Sequence, residues 1–123
     1  MAELPPVNNV FGYLHSAVGL QPVVEVLRSR LGLSADEARL TRSAENGSQT
    51  LQIETSACLL LTHPARKVDT WRFDGAVAGS PDEIFDTLLP FVQALKWAGF
   101  RAHFEIYDPS FQFAGDCPRE GAP

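Results

Sequence analysis

Cys58, His103 and Glu105 are the residues of this chain whose types would do chemistry if they met. A thiol becomes a nucleophilic thiolate when a histidine or a cation stands beside it. Alternation along residues 51–62 and 101–108 puts Glu54, Cys58, His103, Glu105 and Tyr107 on one, wetter sheet face. If those strands are neighbours, Cys58 and His103 make a candidate catalytic pair. The competing explanation asks less: a free cysteine is a small hydrophobe, usually buried and inert. The carboxylates pose the same choice. Asp69 and Asp74 flank Trp71 and Phe73, and Glu105 and Asp108 flank Tyr107. Paired acids run acid–base chemistry when burial splits their pKa values, yet solvated strand ends and turn caps explain these four as well.

Spacing excludes several other chemistries. His15, His63 and His103 lie far apart, and neither Cys-x-x-Cys nor His-x-x-x-His occurs, so no metal site is expected. The nine glycines form no dinucleotide fingerprint and no P-loop. A G-x-S-x-G nucleophile elbow is also missing. No cofactor is expected.

Fifteen acids against ten Lys and Arg leave a net charge of −5. Phosphate backbones are bound by clustered cations, and no basic run here exceeds two residues, so nucleic acid is not an expected partner. A basic protein suits the chain better, because complementary fields speed association. No apolar stretch approaches the roughly 20 residues that span a bilayer. The start, Met1 to Pro6, lacks the charged and apolar regions of a secretory signal. Two cysteines do not resemble a secreted disulfide framework. A cytoplasmic address is expected.

The elements that would position these residues follow from periodicity and punctuation. Val7, Phe11, Leu14 and Val18 recur at helical spacing, with Asn8 or Asn9 as N-cap and Gly19 as stop. A second helix starts at Pro22, buries Val23, Val24, Leu27 and Leu31, and ends at Gly32. Ser34 and Glu37 spell a capping box. Asn46-Gly47 predicts a tight hairpin with Leu40 opposite Ile53. One long strand then carries Leu51, Ile53, Ala57, Leu59 and Leu61 on its core face, and a third strand runs to Val77. Ser80-Pro81-Asp82-Glu83 opens a helix that Pro90 should kink and Gly99 should stop. The last strand spans Arg101 to Asp108.

The order α-α-β-β-β-α-β predicts the α+β class, a mostly antiparallel four-stranded sheet with helices packed on one face. Residues 1–108 form a single α+β domain, and residues 109–123 an irregular C-terminal tail anchored by Phe111 and Phe113. Aromatic residues and arginine dominate binding hot spots. Trp97, Tyr107 and Phe111, with Glu105 and Asp108, therefore make a candidate acidic, aromatic partner-binding patch.

From Trp71 to Phe111 the chain reads WRFDGAVAGSPDEIFDTLLPFVQALKWAGFRAHFEIYDPSF. This third of the chain resembles small bacterial immunity proteins in its acidity, its sheet-helix-strand ending and its aromatic-acidic finish. The resemblance implies stoichiometric binding of a co-encoded toxin and no turnover. It assigns no residue. Three readings follow: a non-catalytic inhibitor of a basic protein partner, a small cysteine-dependent enzyme using Cys58 and His103, and a homodimer or larger homo-oligomer that buries its sheet face.

Overall fold

The computed structural model describes residues 3–119. The chain runs β1 (Val10–His15), α1 (Gln21–Leu31), β2 (Ala38–Arg42), β3 (Gln49–Glu54) and β4 (Cys58–Pro64). It continues through β5 (Thr70–Val77), α2 (Pro81–Trp97), β6 (Arg101–Tyr107) and β7 (Phe113–Cys117). Among the described residues, seven antiparallel strands form one sheet in the order β2-β3-β4-β5-β1-β6-β7. The mixed α+β content agrees with the sequence reading, but the four-stranded sheet does not.

The largest correction is β1. Residues 10–15 are not the first helix but the strand between β5 and β6. Val10 and Leu14 are fully buried, whereas Val7 and Val18, the outer members of the supposed helical stripe, are exposed. The segment Val-Phe-Gly-Tyr-Leu-His holds β-branched and aromatic residues around a glycine, a composition that favours extended chain. Asn9 caps no helix. Its amide donates to the Val77 carbonyl and accepts from the Val77 N–H, both at 2.9 Å. This insertion also separates β5 from β6. Both are antiparallel to β1, so they run parallel to each other one strand apart, joined over the sheet by α2.

The second correction is the long middle strand, which is a hairpin of β3 and β4. Thr55 turns the chain: its N–H donates to the Cys58 carbonyl (2.9 Å), and its Oγ1 accepts from the Ala57 N–H (3.1 Å). The turn flips the phase of alternation. Cys58, Leu60 and Thr62 face the core, and Leu59 and Leu61 face outward. Buried Thr62 is satisfied by β3, its hydroxyl accepting from the Leu51 N–H at 2.8 Å. The β2–β3 register also moves by two residues, with Leu40 opposite Leu51, because a six-residue loop, 43–48, replaces the tight turn.

The third correction is the tail. Residues 113–117 pair with β6 as β7, and Cys117 is fully buried. The tail reading of residues 120–123, like the start at Met1 and Ala2, lies outside the described residues.

Other local signals hold. In α2 the Ser80 and Glu83 side chains each accept from the other's backbone N–H, at 3.3 and 3.0 Å, with Pro81 in the first turn. Pro90 lies on the exposed side, and the helix continues to Trp97. In α1, Gly32 ends the helix at φ 67°, a left-handed conformation that costs glycine little. Ser34 and Glu37 close their capping box at 2.9 and 3.1 Å.

Both helices lie on the same face of the sheet. Val23, Val24 and Leu27 of α1 and Ile84, Leu88, Phe91, Val92 and Leu95 of α2 join the inward strand residues in one core. The outward face of the strands carries no helix among the described residues. Among the described residues, no helix is long and apolar enough to cross a membrane.

Candidate functional site

The open face takes its character from alternation. Residues that leave the core must point to it, so each strand delivers every second side chain. One row across the sheet reads Leu61, Asp74, Phe11, Glu105, Asp116, from β4 to β7. The row beside it reads His63, Arg72, Tyr13, His103. Phe11, Tyr13, Arg72, Asp74, His103 and Glu105 line a shallow cavity of about 530 Å³.

Aromatic rings cluster at the end of this face where β6 turns into β7. Tyr107 lies edge-on to Phe11 with ring centroids 5.6 Å apart, and stacks on Phe111 at 5.5 Å. Phe113 meets Tyr107 edge-on at 6.0 Å. Phe111 reaches this position from the loop 108–112. The Asp108 carboxylate organises that loop, accepting from the N–H groups of Ser110 and Gln112, both at 2.9 Å. Phe111 itself adopts φ 62°, a region costly for a bulky residue. Phe111 and Phe113 are each 55% exposed. The four rings pack on one another, with Phe11 and Tyr107 half-buried beneath the two exposed phenylalanines.

Carboxylates rim the cluster. His103 Nε2 lies 2.9 Å from Asp116, and His63 Nε2 lies 3.2 Å from Asp74. The Tyr107 hydroxyl donates to Glu105 at 3.5 Å. Partial burial, then the negative charge of Glu105 and of Asp116, raises this phenol above its ordinary value of 10.0. Tyr107 is thus held as a neutral hydrogen-bond donor to the Glu105 side chain.

The structure divides the residues singled out from sequence. Glu105, Tyr107 and Phe111 come together on the open face. Asp108 stands behind them and holds the Phe111 loop. Trp97 lies elsewhere, at the C-terminal end of α2, 68% exposed and with the Arg30 guanidinium 3.5 Å above its ring. Cys58 and His103 do not meet. The thiol is fully buried on the core face, while His103 lies on the open face with β5 and β1 between their strands. Burial raises the Cys58 thiol, and hydrogen bonds to Thr55 oppose the rise only in part. Among the described residues, no three His, Cys, Asp or Glu side chains gather as a metal site would need.

Phe11, Tyr13 and Asp116 are site residues that sequence reasoning missed, because β1 was read as helix and β7 as tail. The signal for β1 was present: Phe11, Tyr13 and His15 alternate with Val10, Gly12 and Leu14.

Among the described residues, fold and face together define a two-layer α+β domain, one sheet face covered by helices and the other uncovered, aromatic and acid-rimmed. The chain matches no family model, no curated protein and no solved structure.

Proposed function

We propose that this chain is a non-catalytic protein-binding domain that presents its open sheet face to a basic segment of a protein partner. The observation that carries the reading is the cluster of Phe11, Tyr107, Phe111 and Phe113, in which half-buried Phe11 and Tyr107 support exposed Phe111 and Phe113, ringed by Asp74, Glu105 and Asp116. Clustered, exposed aromatic surface marks interaction sites. The acid rim selects the sign of the partner, because like charges set against it would cost several kcal/mol, about 2–4. Such binding acts stoichiometrically, as an inhibitor of the immunity type does.

The test is capture of partners with the wild-type chain, with Phe111→Ser and with Glu105→Lys. A basic protein held in equimolar amount by the wild type, and released by both substitutions, is the expected result. A partner retained by both variants would place binding elsewhere. Light scattering separates self-association from this reading. The expected mass is that of one 13.5 kDa chain, and a dimer disrupted by Phe111→Ser would mean that the face serves a second copy.

A further inference from the structure

We propose that a second site, at the opposite end of the sheet from the aromatic cluster, binds a small organic anion with an apolar body. There, where β1 and α2 end and β6 begins, lies a cavity of about 630 Å³. Small-molecule sites span roughly 300–1,000 Å³. Lys67, Lys96 and Arg101 line it, with His15 and His103, and among the described residues no carboxylate does. None of the three cations forms an ion pair among the described residues.

This concentration of charge runs against the composition of the chain. Arg42 and Arg66 line an adjoining cavity that shares Lys67 and Thr70 with the first. Arg42, Arg66, Lys67, Lys96 and Arg101 are five of the ten Lys and Arg in a chain of net charge −5. Asp69 is the one carboxylate lining either cavity among the described residues. Fold stability explains part of the pattern: Lys96 complements the negative end of the α2 dipole. It does not explain Lys67 and Arg101, which come from a loop and a strand start and converge on the same space.

The remaining lining sets the rest of the ligand. Val92, Phe100 and Ala102 are nearly buried and give the cavity an apolar wall. Cations on one side and an apolar wall on the other suit a carboxylate or phosphate monoester on a hydrophobic body. Arg101 can grip such a head group with paired N–H donors. His103, held by Asp116 at 2.9 Å, adds a ring stacked on Tyr13 with centroids 5.7 Å apart.

The experiment is a two-dimensional amide NMR titration of the full chain with phenyl phosphate, benzoate and inorganic phosphate. Phenyl phosphate or benzoate should shift the amides of His15, Thr70, Arg101 and Ala102 saturably, with a dissociation constant of about 1 mM or tighter. Inorganic phosphate should bind about tenfold more weakly, since it makes no apolar contact. Lys96→Gln with Arg101→Gln alters only exposed side chains and should weaken binding by about tenfold or more. Arg39→Gln removes a distant cation and should change nothing. No saturable shift with either organic probe would overturn the proposal, as would equal losses in the Arg39 and Lys96/Arg101 variants. Inorganic phosphate binding as tightly as phenyl phosphate would overturn the apolar half of the assignment. None of these outcomes depends on the protein partner proposed above.

Discussion

The rings of Phe73 and Phe104 meet with centroids 4.9 Å apart, although a whole strand lies between them. Two strand spacings amount to about 9–10 Å, so the rings lean together over the strand that separates them. Gly12 makes this contact feasible. It pairs with Phe73 on one side and with Phe104 on the other, and leaves the space above β1 empty of any side chain. Both phenylalanines are almost wholly buried, each contributing roughly 1.5–3 kcal/mol of apolar burial.

Gly12→Ala should therefore be among the most damaging single-methyl changes in the chain. A Cβ there would strike the His103 carbonyl oxygen and lie 2.9 Å from the Phe104 Cα. These are backbone atoms and cannot rotate away. A loss of about 3 kcal/mol is expected, as for overpacking that forces the backbone to shift. Urea denaturation reads it, and a midpoint equal to that of the wild type would refute the packing described for β1.

Both thiols should be silent in the folded protein. Burial pushes Cys117 up to about 11 and also raises Cys58, from an ordinary value of 9.0. A thiol reagent near neutral pH should label neither until denaturant is added. The pH dependence has a definite sign. The folded values lie above the unfolded one, so the stability tied to these protons is complete below about pH 9 and declines as pH climbs toward 11. Denaturation midpoints should fall across that window, and less steeply in Cys117→Ala. Rapid labelling of Cys58 in the native state would revive it as a nucleophile.

The loop that carries Phe111 should be separable from the fold. Asp108→Ala removes the acceptor for two backbone N–H groups, at a cost of about 1 kcal/mol, and hydrogen exchange at Ser110 and Gln112 should quicken. Phe111→Gly removes the ring from a positive-φ position, so relief of strain offsets the lost contacts. Its net effect should stay within about 1 kcal/mol, while partner capture is lost. A larger drop in stability would make Phe111 a structural anchor instead of a binding residue.

Local chemistry was legible in the sequence alone. The capping boxes at Ser80 and Ser34, the Gly32 stop, the long apolar stripe of α2 and the alternation of β6 rest on interactions within a few residues. Glu105 and Tyr107 could be marked for the same reason, since β6 displays its outward residues whatever stands beside it, and Phe111 follows four residues later in the loop after β6. Tertiary structure decided the rest. Val10–His15 carries apolar residues at spacings compatible with helix or strand, and it becomes a strand because β5 and β6, some 60 and 90 residues away in the chain, offer their edges to it. The phase of β4 depends on a three-residue turn at Thr55 that alternation alone does not reveal. Phe113–Cys117 becomes a strand only because the outer edge of β6 is free to pair with it. Long-range pairing is not written in any local window of residues, and the same pairing separated Cys58 from His103 and gathered Phe11, Tyr107, Phe111 and Phe113 on one face.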